Sequence, residues 1–252
     1  MLPVIQIGSL AIQLPVLILF VSLWLGITLS EKQSGSLQLP DSQISNLIIT
    51  GLVTAVIGAR LVYVIDHWEA FSGHLMDIIA FNPAMLDKQS GILIGVAAVA
   101  IFIQRKKMPI WITLDGLVPF LAVVAVGIDL MNLASGYGYG TPANIPWGIK
   151  LIGIKRHPSQ LYEALSAILI VWLMIPVRYT EPLKISTFKI PGIRFILFVG
   201  LSAGVRLFLD AFRANPTYFW GGIHSAQVVS WIIMAICIGF YIRRKKTIQS
   251  ME

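Results

Sequence analysis

Charge is the scarcest property of this chain. Asp, Glu, Lys and Arg make up only 12% of its 252 residues, where a soluble domain carries about a quarter. So few charges exclude an ordinary water-soluble domain and leave burial in lipid or against other helices. Cysteine is almost missing too. Cys237, inside the last apolar stretch, has no second cysteine to pair with, which excludes an intrachain disulfide. No zinc-binding spacing occurs, so no metal site is expected. The thiol reads as a small apolar filler. Lys and Arg are absent before the first apolar run. That is unlike the basic start of a cleaved signal peptide, so the run is expected to be a retained helix. There is no internal repeat and no low-complexity tract.

What is present is apolar. Hydrophobic residues make up 56% of the chain, and the mean hydropathy is +0.79. At this length several helices pack into one bundle, so a single transmembrane domain over residues 1–252 is expected. The net charge of +7 does not point to nucleic acid, because the basic residues fall in short runs between apolar stretches. Such runs anchor membrane proteins on the cytoplasmic side, against anionic headgroups.

A spanning helix needs roughly 20 apolar residues. Seven stretches are candidates: Leu10–Leu29, Ile44–Ile65, Ser90–Gln104 (short), Ile110–Ala134, Pro158–Val177, Ile193–Phe212 and Gly222–Ile242. The expected fold is therefore an all-α integral membrane bundle of seven transmembrane helices. Basic groups follow the third helix (Arg105, Lys106, Lys107), the fifth (Arg178, Lys184, Lys189, Arg194) and the seventh (Arg243 to Lys246). Placing all three in the cytoplasm puts the N-terminus outside and the C-terminus inside. Three connections then lie outside: Asp66 to Gln89, Ser135 to His157, and Arg213 to Gly221. The first mixes Trp68, Phe71, His74, Ile78 and Phe81 with acids, as an interfacial amphipathic segment does. The second holds Ser135-Gly136-Tyr137-Gly138-Tyr139-Gly140, where glycine permits sharp turns and close approach and tyrosine suits the headgroup level. It reads equally as an ordinary interfacial loop. Gly91 with Gly95, and Gly200 with Gly204, mark helix faces that can pack closely.

Polar groups at membrane depth cost a few kcal/mol each on insertion scales and need a reason to be there. Arg60 and Asp66 end the second helix, Asp115 and Asp129 lie in the fourth, and Arg206, Asp210 and Arg213 close the sixth. The last three, spaced four and then three apart, share a helical face. They form either an Arg-Asp-Arg ladder that anchors the helix end or a cationic patch that grips a lipid phosphate through arginine forks. His157 and Pro158 open the fifth helix, followed at once by Ser159, Gln160, Tyr162 and Glu163. Free amides at a helix start can hold an anion, and the density of donors favours a site over a plain cap.

The string His157-Pro158-Ser159-Gln160-Leu161-Tyr162-Glu163 resembles the HPSQLYE signature of bacterial prolipoprotein diacylglyceryl transferases. Other segments agree in order and spacing. Ile57 to Val64 resembles that family's GGRLGYV, Gly91 to Val96 the end of its HGGLIGV, and Asn132 to Gly140 the end of its GRxGNFxNxExxG. Pro146-Trp147 sits where the family has an aromatic. Arg206 to Arg213 resembles its RxxxExxR, and Gln227 to Ser230 its GQxLS. The resemblance implies a multi-pass enzyme of the bacterial cytoplasmic (inner) membrane. Its activity would pass the diacylglyceryl group of phosphatidylglycerol to the lipobox cysteine thiol of a preprolipoprotein. The nucleophile is then the substrate's own, and no cofactor is implied. Carried over by position, His157, Arg206 and Asp129 would be catalytic, and Arg60, Asn132, Gln160, Tyr162 and Arg213 would bind the lipid phosphate.

The chain departs from the family at sensitive points. Ser90 stands where the family has the histidine of HGGLIGV, and Asp129 where it has an arginine. Pro15 replaces a first-helix tyrosine, and Ser135 and Tyr137 replace an asparagine and a glutamate. If Asp129 shares a cavity with Arg206, it is expected to pair with that arginine. Two readings follow: a divergent working transferase, or an inactive member that serves as a lipid-binding structural subunit with membrane-protein partners. An ion carrier using Asp115, Asp129 and Asp210 is a weaker third, since no inverted repeat accompanies the acids.

Overall fold

Apolar runs have no water to satisfy their peptide groups, so in a membrane they become helices. The computed structural model of the chain describes residues 4–7, 10–37, 39–80, 82–151, 153–174, 190–214, 216–219 and 222–249. Among them, a helix occupies each of the seven expected stretches: α1 (Leu14–Ser34), α2 (Asp41–Asp66), α4 (Lys88–Arg105), α5 (Ile110–Ser135), α6 (Ser159–Met174), α7 (Ile193–Leu209) and α8 (Ser225–Gln249). A four-residue turn, α3 (Trp68–Phe71), lies within the segment after α2. Among the described residues, five helices are long and apolar enough to cross a membrane: those in Leu14–Leu37, Ser42–Asp66, Ile110–Ser135, Ile193–Phe212 and Ser225–Lys246. α6 is apolar but shorter. The chain is thus a mostly helical, multi-pass membrane protein. Arg178, Lys184, Lys189, Val177, Phe81 and Gly221 lie outside the described residues.

The expected helix over Leu10–Leu29 begins late. Leu10–Gln13 is a strand, β2, paired antiparallel with β1 (Val4–Ile7) in the register Val4↔Gln13. A short apolar run fits a strand as well as a helix turn. A second hairpin joins β3 (Ile149–Leu151) to β4 (Ile154–Arg156).

The contacts divide the chain into two compact units, residues 34–113 and residues 1–33 with 114–252. In the first, α2 packs on α4 through small residues. A Cβ added at Gly91 would meet Ala59 Cβ at 2.7 Å and the Ala55 carbonyl oxygen at 2.8 Å. One at Gly95 would meet Ala55 Cβ at 2.9 Å and the Gly51 carbonyl oxygen at 3.0 Å. Gly51, Ala55 and Ala59, four apart on α2, are therefore the counterpart of the Gly91–Gly95 pair. The Gly200–Gly204 pair behaves differently. Its added Cβ atoms would sit 3.5 Å from Cys237 and 3.8 Å from Met234, ordinary contact distances. Gly91→Val is accordingly expected to cost about 1–3 kcal/mol by overpacking, and Gly200→Ala close to nothing. Thermal midpoints of the two detergent-purified variants check the contrast.

In the second unit, α1 crosses α5, and α7 packs between α6 and α8. Pro119 removes one helical hydrogen bond inside α5. The next amide, Phe120 N–H, donates to Ser30 Oγ on α1 at 3.0 Å. Asp115, buried in α5, sets the start of α7. Its carboxylate accepts from Gly192 N–H at 2.6 Å and Phe195 N–H at 2.8 Å, satisfying amides a helix start leaves open. That capping task accounts for one acid at membrane depth. Large apolar side chains such as Phe20, Trp24, Phe208 and Trp231 are exposed, as lipid-facing residues are.

Candidate functional site

The start of α6 is built into the glycine-rich loop before it. Gly136 and Gly138 have φ of 76° and 71°, left-handed values that glycine adopts without strain. Gly140 has no room for a side chain: an added Cβ would meet His157 Cβ at 2.7 Å and the Phe212 carbonyl oxygen at 2.9 Å. The close approach that glycine permits here is to the protein's own backbone. Thr141 N–H donates to Phe212 O at 2.9 Å, His157 N–H to Thr141 O at 3.0 Å, and Ala214 N–H to Tyr139 O at 3.1 Å. The loop thereby ties the head of α6 to the tail of α7. Ser159 Oγ donates to Gly138 O at 2.8 Å and Gln160 Nε2 to Tyr137 O at 3.1 Å. Gln160 Oε1 is buried without a hydrogen-bond partner among the described residues.

Glu163, one turn into α6, is the centre of the charge cluster. Its carboxylate is 7% exposed. It accepts from Arg213 Nε at 2.8 Å and Arg213 NH2 at 2.7 Å, a two-pronged pair, and from Arg206 NH1 at 3.3 Å. Burial alone would lower the Arg213 pKa; the Glu163 hydrogen bonds and charge, with Asp210 and Asp129, outweigh it and raise the value. Arg206 is held more loosely, and its side chain is 41% exposed. The Arg206–Asp129 ion pair expected from the sequence is not formed; Glu163 takes that place. Asp129 nonetheless faces the same space. Asp129, Glu163, Ser202 and Arg206 line a cavity of about 120 Å³ with apolar walls from Ala125, Ala167, Ile170 and Val205. Arg206 and Ser202 also border an apolar groove of about 480 Å³ between α7 and α8.

His157 and Tyr162 lie beside this cluster in an aromatic corner. His157 Nδ1 is 3.3 Å from the Tyr162 hydroxyl, which accepts from Trp147 Nε1 at 2.8 Å. The Phe212 ring stands 5.1 Å from His157 and 6.1 Å from Tyr162. Asn132 is half-buried on α5, and its side chain makes no hydrogen bond among the described residues.

Arg60 belongs to the other unit. All three of its nitrogens donate to carbonyls of the segment after α2: Nε to Ile78 at 3.1 Å, NH1 to Met85 at 3.1 Å and NH2 to Asp77 at 2.6 Å. It also lies over the Phe71 ring. Ser90, in the same unit, is in the first turn of α4, where its N–H donates to Asp87 Oδ1 at 2.7 Å. That bond holds the Asp87 carboxyl below the usual carboxylate range.

Two features escaped the sequence reading. Glu163 was visible as the last residue of a polar cluster, but nothing marked it as the partner of both arginines. His224, at the start of α8, pairs through Nδ1 with Asp210 Oδ2 at 2.8 Å, a contact that no spacing signals.

Residues 3–243 match the family described as prolipoprotein diacylglyceryl transferase. The phosphatidylglycerol–prolipoprotein diacylglyceryl transferase of Finegoldia magna is 28% identical over 224 residues, covering 89% of this chain and 88% of its own. The protein of the same name from Synechococcus elongatus is 29% identical over 251 residues, covering 93% and 83%. That of Clostridioides difficile is 24% identical over 223 residues, covering 88% and 87%.

Proposed function

Because the chain belongs to the prolipoprotein diacylglyceryl transferase family, we propose that it transfers the diacylglyceryl group of phosphatidylglycerol to the cysteine thiol of a prolipoprotein. The observation that carries this reading is the setting of Arg206. Its guanidinium engages Glu163 through NH1 alone among the described residues. It lies on the wall of an apolar groove between α7 and α8. A phospholipid needs that combination, a fork for the phosphate beside an apolar path for acyl chains.

In this reading Arg206 holds the phosphate of the donor and then the departing glycerol phosphate, whose negative charge grows as the carbon–oxygen bond breaks. Arg213, tied at two points to Glu163, keeps the cluster in register and adds positive charge behind it. Gln160, with its free buried oxygen, and Asn132 supply polar contacts to the glycerol headgroup. His157 and Tyr162 form the edge where the headgroup meets the aromatic corner. Asp129 opposes Arg206 across the small cavity, so phosphate and carboxylates compete for one cation. The family resemblance and the basic runs at Arg105–Lys107 and Arg243–Lys246 support a seven-span arrangement in one transmembrane domain. The N-terminus is then outside and the C-terminus cytoplasmic, in the bacterial inner membrane.

The test is direct. The purified protein is mixed with phosphatidylglycerol vesicles and a lipobox peptide, and the peptide mass is read. A gain of one diacylglyceryl group is expected. No gain, alongside a family enzyme that succeeds under the same conditions, would mean that Ser90 and Asp129 have ended the chemistry.

A further inference from the structure

A thiol is a poor nucleophile until it loses its proton, and the family's histidine position holds Ser90, which is no base near neutral pH. We propose that His224, oriented by Asp210, is the general base that takes the cysteine proton in this protein; the proposal rests on the transferase reading above.

The geometry is that of an oriented imidazole. Asp210 is 2% exposed, and its Oδ2 lies 2.8 Å from His224 Nδ1. A carboxylate only accepts hydrogen bonds, so Nδ1 carries the ring proton and Nε2 presents its lone pair. Nε2 has no hydrogen bond among the described residues, and the side chain is 23% exposed, open enough to be reached. The ring is fixed from a second side by Tyr218, whose ring meets it edge-on at 5.1 Å. Ser225 N–H and Oγ both donate to Thr217 O, at 2.8 Å and 3.0 Å, closing the turn that carries His224.

The dyad also stands in the right place. Asp210 follows Arg206 by four residues, one turn along the same face. His224 immediately precedes Ser225 and Ala226, which border the groove shared with Arg206. The base is therefore one residue along the chain from the wall of the groove that also carries Arg206. Among the described residues the titratable groups in contact with it are Asp210, at the end of α7, and Tyr218, from the preceding turn; Arg213 lies within electrostatic reach of Asp210. Asp129 is the rival base, but it faces the 120 Å³ cavity beside the negative charge of Glu163.

The step balances without a further reagent. The S–H proton passes to Nε2, giving an imidazolium and a thiolate. The sulfur attacks the glyceryl carbon esterified to the phosphate, so a C–S bond forms as the C–O bond breaks. The electron pair leaves on the phosphate oxygen as glycerol phosphate, and the imidazolium returns its proton to water.

The experiment uses the full chain in phosphatidylglycerol nanodiscs with a lipobox peptide, following initial rates from acid to alkaline pH. The wild type is expected to lose rate on the acid side, where an imidazole base becomes protonated. His224→Gln should lower kcat about a hundredfold, leave KM for lipid and peptide nearly unchanged, and abolish the acid limb. Added imidazole should restore part of the His224→Ala rate. Asp210→Asn, a change at a positioning residue, should lower kcat and displace the acid limb. Near-wild-type rates with an intact acid limb in His224→Gln would overturn the proposal while leaving the transferase reading standing, as would loss of that limb in Asp129→Asn alone. An inactive wild type would overturn both. Should His224→Gln fail to fold, ring-nitrogen NMR of the wild type decides. The neutral ring must carry its proton on Nδ1; a proton on Nε2 overturns the assignment.

Discussion

Glu163→Gln is expected to destabilise the protein by about 3 kcal/mol, the low end of what breaking a buried ion pair costs, and to lose most of its transfer rate with it. The carboxylate is 7% exposed and receives three hydrogen bonds from two arginines. A glutamine keeps one acceptor oxygen but turns an NH2 donor toward guanidinium N–H groups, which offer it no acceptor. Arg213, 17% exposed, then loses its hydrogen-bonded counter-charge in a poorly solvated place. Asp129 and Asp210 lie within electrostatic reach of it, which is why the low end of the range applies. At roughly 2–4 °C per kcal/mol for a chain of this size, the thermal midpoint in detergent should fall by about 6–12 °C. The pair can be isolated by a cycle. Glu163→Gln with Arg213→Gln should cost clearly less than the two single changes added together, because residues in contact are not additive. Additive costs would mean that the clamp contributes nothing as a pair.

The hydropathy of the chain announced its helices because a continuous apolar run of about 20 residues in lipid can satisfy its own backbone only as a helix. Where the rule is silent, the sequence was silent. Residues Leu10–Gln13 are as apolar as a helix turn and pair as a strand instead. Glycine spacing was informative only where a partner surface was also small. Gly91 and Gly95 meet Ala55 and Ala59, whereas Gly200 and Gly204 leave space for a methyl group. The alanines on α2 did the same work as glycine, yet a search for glycine pairs passes over them.

The charged cluster was legible as a list and not as a wiring diagram. Arg206, Arg213, Asp129 and Glu163 could all be placed near membrane depth, but several carboxylates compete for two arginines. The winner is decided by the packing of α6 on α7, which puts Glu163 within 3.3 Å of both. His224 and Asp210 are 14 residues apart across a turn, a separation without periodicity. Arg60 shows the converse. Its signature residues matched, while its three nitrogens are spent on carbonyls of the segment that follows α2.

Arg206→Ala should part from Glu163→Gln in stability, taking the activity and leaving the fold. Its one bond to Glu163 is long, and the side chain is 41% exposed. A pair of that kind contributes about 0–1 kcal/mol, so the thermal midpoint should hardly move. The rate is another matter. If the guanidinium meets the phosphate as the leaving group forms, its removal strips a donor aimed at developing charge. One such donor is worth about a hundredfold to a thousandfold in kcat. Arg206→Lys should recover only part of this, because an ammonium restores the charge without the planar fork that binds two oxygens at once. Asp129→Asn, by removing a carboxylate that competes with phosphate, should tighten phosphatidylglycerol binding in the same preparation. Diacylglyceryl transfer rates and lipid affinities of the four proteins separate these effects. An alanine variant within about threefold of the wild-type rate, well short of the loss expected for one such donor, would show that the phosphate is not held at Arg206. The groove between α7 and α8 would then need another explanation.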